Sequence, residues 1–301
     1  MNIAVLLTCH NRRAKTENCL VSLGRALDAF NGSHNENERV TLEIYLVDDG
    51  CTDETTKAAH DTVEYAPLHI LKGDGNLYWA GGMRYCWREA MKRHHEWNYY
   101  LLINDDTEMM KNLFDELFYA QSYSRNQFGQ EGIVSGITCA MDDATKLTYG
   151  GDVIINRFLS TKRRLSPNGK PQLCDQTNAN ILLVPKSIVD CIGIFYDGYT
   201  HGFADSDYSR MARRKDIPIV LTANFCGRCE QDHGTETELA HKLIGMSLKQ
   251  RRAYFRNPLH SNKEYFRYIR RNSPIRLPLV WLGRMMNLYL PKLYYRINRI
   301  R

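Results

Sequence analysis

Residues 2–8 (NIAVLLT) form an almost unbroken apolar run, the pattern of a strand buried on both faces. Over 12–30 the apolar residues Ala14, Cys19, Leu20, Leu23 and Leu27 recur at helical spacing. A polar stretch at 32–39 separates this helix from a second apolar strand, 42–47, which ends in Asp48 and Asp49. The pattern then predicts a short helix over 53–61, a third strand over 67–71 and a helix over 80–95. A fourth strand follows over 99–103 and ends in Asn104, Asp105 and Asp106, and 109–124 is helical again. Alternating β and α elements imply a parallel sheet covered on both faces. Ligands of such sheets bind at the carboxyl ends of the strands. Three of these ends carry polar clusters, 8–12, 48–53 and 104–107.

After residue 131 the pattern is less regular. Strands are expected over 132–138 and 181–184, and a helix over 185–193, punctuated by Pro185 and Gly193. A polar helix is expected over 205–215, then mostly helix from 235 with breaks near Pro258 and Pro274. There are no internal repeats and no low-complexity tract.

The 301 residues, 43% hydrophobic and 25% charged, suit one large α/β domain or a domain with an appendage. The net charge of +6 is unevenly spread. Residues 249–301 hold 14 Lys or Arg and one acid, Glu264, so the tail carries +13 and the rest −7. An acidic body with a basic tail points to a tail that binds a surface. No run reaches the ~20 apolar residues of a membrane span. The first residues read as a strand rather than a signal segment, and the nine cysteines show no regular framework. A reducing cytoplasm is the expected compartment. Cys226, Cys229 and the nearby His233 fall short of a zinc site, which needs a fourth ligand and usually a second cysteine pair.

Adjacent carboxylates such as Asp105 and Asp106 repel one another after a buried strand, and a divalent cation resolves the cost. Mg²⁺ takes one or two carboxylates and leaves other positions to phosphates and water. Asp48 and Asp49 can accept hydrogen bonds from a base edge or ribose, whereas Asp53 suits a helix cap. The glycine-rich segment 73–84 (GDGNLYWAGGMR), with Gly75, Asn76, Gly81, Gly82 and Arg84, precedes a helix. Glycines admit close backbone approach and a helix start favours phosphate, yet the segment is neither a Rossmann fingerprint nor a P-loop. Asp205 and Asp207 point to different faces of their helix. One can act as a base while the other caps or pairs with an arginine.

The order TCHNR, VDDGCTD, a glycine-rich stretch, NDD and a late acidic helix resembles the family 2 glycosyltransferases of the GT-A fold, of the bacterial polysaccharide or O-antigen type, over about residues 1–235. The resemblance implies a Rossmann-like, mostly parallel sheet. It divides the chain into a GT-A domain over 1–240, with a nucleotide-binding half at 1–107 and an acceptor half at 108–240, and a basic amphipathic helical tail over 241–301. It implies a hexosyl- or deoxyhexosyltransferase-like enzyme that uses Mg²⁺ or Mn²⁺ and inverts the sugar. Thr8, Asn11 and Arg12 would lie beside the nucleoside, Asp48 would hold the base with Asp49 near it, Asp105 would touch the ribose or the metal's waters, and Asn104 would be among the nucleotide-sugar-binding residues. Asp106 would bind the metal, Asp205 would be the catalytic base, and His233 would help hold the metal or pyrophosphate. Three departures stand out: Ala204 where many members have glutamate, Met211 where many have arginine, and Asn104 in place of the first acid of an Asp-x-Asp triplet.

The expected partners are a nucleoside-diphosphate sugar, a glycan or lipid-linked glycan acceptor, an anionic membrane surface under the tail, and in one reading a second copy of the chain, with no nucleic acid. Such a protein would be peripheral on the inner face of the plasma membrane. Two competing readings are a non-catalytic sugar-nucleotide or glycan-binding module at a membrane and a nucleotidyltransferase.

Overall fold

The computed structural model describes residues 1–156, 161–230 and 235–298. In chain order the elements are β1 (Asn2–Cys9), α1 (Arg13–Ser33), β2 (Thr41–Asp48), α2 (Thr55–Thr62), β3 (Leu68–Lys72), α3 (Tyr78–Met91), β4 (Tyr99–Ile103), β5 (Glu108–Met109) and α4 (Leu113–Phe128). Then come β6 (Ile133–Cys139), β7 (Leu147–Tyr149), β8 (Gly151–Asn156), β9 (Thr161–Arg164), β10 (Gln172–Cys174), β11 (Gln176–Thr177), β12 (Ile181–Pro185), α5 (Lys186–Ile192), α6 (Ala204–Arg213) and β13 (Ile219–Arg228). The chain ends in helices α7 (Glu236–Gly245), α8 (Leu248–Arg256), α9 (Asn262–Asn272), α10 (Leu277–Tyr289) and α11 (Pro291–Ile297).

The main sheet runs β10-β13-β6-β12-β4-β1-β2-β3, with β5 on β13 and β7 on β6. Strands β1 to β4 are mutually parallel, and β12 is antiparallel to β4 and β6. The sheet is therefore mostly parallel in its first half, as the apolar runs predict, and mixed in its second. Two apolar layers cover it: α1 and α4 pack on one face, and α3 with α6 on the other. The chain leaves β1 toward β2 and β3, then crosses back to β4 on β1's other side. The strand order thus reverses between β1 and β4, and in open α/β sheets the crevice for a ligand opens at that point.

The sequence pattern places β1, β2, β3, β4, β6 and β12 within a residue or two of their observed bounds. It does not anticipate β13, a ten-residue strand beside β6, or the small sheet β11-β8-β9. Helices α7, α8 and α9 start on side-chain caps. Thr235 and Ser247 each form a capping box, and Asn257 and Ser261 accept from amides of the turns that follow. Leu243, Phe255, Leu288 and Tyr295 form a separate small core, so the helical cluster begins with α7.

Candidate functional site

At the reversal point, the guanidinium of Arg12 reaches across from the end of β1 to the end of β4. Its Nη1 lies 2.7 Å from Asp106 and 3.5 Å from Asp105. Both carboxylates are largely shielded, their side chains being 9% and 12% exposed. Burial, reinforced by the charge of Asp106 and opposed by Arg12, pushes the Asp105 carboxyl up to about 7. Two shielded acids side by side, with a cation between them, make a site that holds positive charge. Cys229 also faces it, its Sγ 3.7 Å from Asp106. Cys226, by contrast, lies in the core against Gly136 and Ile181, so the Cys-x-x-Cys pair is split between core and site.

The end of β2 is built differently. Asp48 accepts from the Cys51 amide at 2.7 Å and from the Lys72 ammonium at 2.6 Å, and it also takes the Thr56 hydroxyl. Burial alone would raise its carboxyl, but these donors hold it well below the usual carboxylate range. Asp48 and Lys72 line a groove of about 560 Å³ with Thr52, Thr56 and Ile70. Asn11 adopts a left-handed conformation, φ 50°, and its Oδ1 accepts the amide of Thr52, one of the groove's residues, at 2.7 Å. Asp53 accepts from the first amide of α1 (Arg13, 3.0 Å) and the first amide of α2 (Thr55, 3.2 Å), so it caps two helices at once.

The glycine-rich segment departs from the expectation of an open phosphate cradle. Asp49 Oδ1 accepts the Gly75 and Leu77 amides at 2.9 and 3.3 Å, and its Oδ2 accepts Tyr78 at 2.9 Å. The carbonyl of Thr200 takes the Ala80 and Gly81 amides at 3.1 and 3.2 Å. The start of α3 is thus already occupied by the protein, because a buried amide must find a partner. Asn76 is exposed and turned to Asp74. Arg84, buried among the same elements, is turned away from the strand ends. It donates to the Tyr199 carbonyl at 2.7 Å and pairs with Asp197 at 3.2 Å.

Gly82 is a packing position. A Cβ there would come within 2.3 Å of Thr8 Oγ1 and 2.7 Å of Thr8 Cβ, so only glycine lets α3 lie on the end of β1. A Cβ at Gly81 meets Leu77 at an ordinary 3.4 Å. Gly82→Ala is expected to lower stability by about 1–3 kcal/mol through overpacking, whereas Gly81→Ala should be neutral or slightly stabilising in a helix. Thermal denaturation of the two variants checks this. Equal melting temperatures would mean that the Thr8 contact is slack.

Asp205 lies half-buried in the first turn of α6. Burial pushes its carboxyl upward against the amides of Ser206 and Ala179 and the charge of Lys162. Ala179 is followed by Asn180, whose carbonyl accepts the Asn104 amide at 3.1 Å, while Asn104 accepts from Trp79 Nε1 at 2.7 Å. Two residues, 179 and 180, therefore bridge Asp205 to the paired acids of β4. Asp207, fully buried, pairs with Arg271 of α9 at 3.0 Å, with Asn272 at its other edge. The two acids of this helix thus differ as their spacing implies, and Asp207 is the one that pairs with an arginine. His233 lies outside the described residues.

Sequence reasoning missed the contribution of α9. Glu264, the lone acid of the basic tail, is buried and accepts the Thr200 amide at 2.9 Å. Arg267 donates to the Gly198 carbonyl. The segment 196–207, which also supplies the Thr200 carbonyl to α3, is therefore held from the tail side by α9.

Residues 4–127 match the family model described as glycosyl transferase family 2. That match makes this segment similar to the family 2 glycosyltransferases. Its match takes in β1 to α4, including Arg12, Asp105 and Asp106. No curated protein matches the chain in sequence. Among solved structures, the S. aureus TarS 1-349 crystal structure aligns with 98% of this chain and 88% of its own, with a TM-score of 0.53 and 12% identity. The crystal structure of S. aureus TarS 1-349 in complex with UDP-GlcNAc aligns with 90% of this chain and 72% of its own, with a TM-score of 0.52 and 11% identity. At such identity the likeness concerns the fold, which is GT-A.

Proposed function

We propose that this glycosyltransferase moves a sugar from a nucleoside-diphosphate sugar to an acceptor hydroxyl with inversion, assisted by a divalent metal. The observation that carries the reading is the link through residues 179–180, which ties the start of α6, where Asp205 lies, to Asn104, the neighbour of the paired acids. TarS, which shares the fold, was crystallised with UDP-GlcNAc and with UDP, in keeping with a nucleotide-sugar donor.

In this reading residues 1–107 hold the donor and 108–240 the acceptor and base. The groove at Asp48 and Lys72 receives the base and ribose, with Asn11 bonded to its Thr52 and Thr8 acting through its packing against Gly82. Asp49, Gly75, Gly82 and Arg84 act by shaping the loop over the donor, since their own partners lie within the protein. Asp105 and Asp106 fit a hard cation: they are oxygen donors at a site where Arg12 already supplies positive charge. Among the described residues no cluster of three or more His, Cys, Asp or Glu could enclose a metal, so the donor's phosphates would complete its coordination. His233 would add to the same site. Bound there, the cation would stabilise charge on the departing diphosphate.

Asp205 removes the proton of the attacking hydroxyl. Its shielded carboxyl, raised above the ordinary range, is the stronger base for it. One in-line displacement needs no covalent enzyme intermediate. The acceptor is a glycan or lipid-linked glycan in cell-surface polysaccharide or glycolipid assembly, met on the inner face of the plasma membrane.

The direct test incubates the protein with a panel of nucleotide sugars and Mn²⁺ and identifies the products. Free nucleoside diphosphate is expected with one donor. Pyrophosphate would mean nucleotidyl transfer, and neither product with any donor would leave a binding module.

A further inference from the structure

We propose that the outer face of α10 and α11 docks on an anionic phospholipid bilayer. This deepens the peripheral-membrane part of the reading above and is independent of its transfer chemistry. Folding normally withdraws large apolar side chains from water. Here Ile275, Leu279, Trp281, Leu282, Leu290 and Ile297 are 81%, 64%, 53%, 57%, 55% and 59% exposed. Leu279 and Leu282 lie three apart on α10, so they share one face, with Ile275 in the turn that leads into the helix, while Asn287 and Leu288 of the same helix turn inward. Among the described residues no helix is long and apolar enough to cross a membrane. An apolar face on short helices suits lying in the headgroup region rather than spanning the bilayer.

Charge selects the occupant. The only acid of residues 249–301 is Glu264, and it is buried with its carboxylate on the Thr200 and His201 amides. The exposed charges of these helices are therefore basic, including Lys292 and Arg296, which flank Leu293 on α11. A second copy docking through the same face would set basic side chains against basic ones. A nucleic acid offers phosphates and stacking bases but nothing for an aliphatic stripe. An anionic bilayer satisfies both halves of the surface: acyl chains for the stripe and headgroup phosphates for the cations. The location is also apt. Helix α9 packs between α10 and α6, so the docking face lies one helix away from the helix that carries Asp205.

The experiment uses the full chain with vesicles of phosphatidylcholine, alone or mixed with phosphatidylglycerol. Cosedimentation should be at least about ten-fold stronger on the mixed vesicles and fall as salt rises. Trp281 emission should shift to the blue and be quenched by brominated acyl chains. Leu279→Glu with Leu282→Glu, both at exposed positions, should lose about ten-fold or more in partitioning with an unchanged melting temperature. Equal binding to both vesicle types, undiminished binding of the double variant, or a chain that dimerises through this face and ignores vesicles would each overturn the proposal. Sugar transfer to a soluble acceptor should survive in the double variant, which separates failure of this surface from failure of the enzymatic reading.

Discussion

Asp106→Ala is expected to remove sugar transfer almost completely, with a loss on the order of three decades or more, at or above the ~10²–10³ seen when one preorganised stabiliser of developing charge is deleted. The argument is electrostatic. Asp106 is shielded, sits beside an equally shielded acid, and is met at 2.7 Å by Arg12. A carboxylate so placed would recruit positive charge exactly where a departing diphosphate needs it. Adding a chelator to the intact enzyme should have the same effect, reversed by Mg²⁺ or Mn²⁺. Calorimetry separates the contributions: donor affinity should depend on metal in the native protein and lose that dependence in the variant. Full turnover in chelator would sink the metal-assisted reading, while leaving Arg12 as the charge that serves the leaving group.

The first half of this fold was legible because its strands are buried on both faces. Such strands read as apolar runs, and their ends stand out when Asp48, Asp105 and Asp106 interrupt them. The second half was less so, for local reasons. Strand β13 starts apolar at Ile219 but continues through Thr222, Asn224 and Gly227, and its pairing with β6 shifts register twice. A bulged strand loses the period that betrays it. Strand β9 is exposed along its whole length and has no apolar face to display. At the site, residue type located the acids but not their targets. A glycine-rich stretch has the same composition whether its amides meet a phosphate or an aspartate. Here Asp49 and the Thr200 carbonyl decide the matter, and the second of these comes from more than 100 residues along the chain. Arg84 is turned toward residues 196–199 for the same reason. Glu264 did leave a signal, as the single acid in a strongly basic tail, which is the mark of a charge kept for one internal partner.

Asp205→Asn and Asp207→Asn should have opposite consequences, although they differ only by two positions on one helix. Asp205→Asn is expected to keep donor binding and lose roughly 10²–10⁴ in transfer rate, the usual worth of a general base. The native rate should rise with pH through an acid limb displaced above the ordinary carboxylate value, because burial raises Asp205 and only the ionised form accepts a proton. That limb should vanish in the variant. Stability should move the other way. An acid whose folded pKa is raised opposes folding increasingly as pH climbs from its unfolded toward its folded value. Asparagine removes that penalty, so the variant should melt at the same temperature as the native protein or higher at neutral pH. Asp207→Asn instead breaks a fixed pair. Arg271 and Asn272 converge on a side chain only 1% exposed. Removing one member of a buried pair costs ~3–5 kcal/mol, and because Arg271 is 29% exposed about 2–3 kcal/mol is expected here. Its effect on rate should be small at temperatures where the variant is folded. Melting temperatures and pH–rate profiles of the two variants, taken together, decide between the acids. A variant at Asp207 that kept its stability but lost the acid limb would make Asp207 the base and Asp205 the bystander.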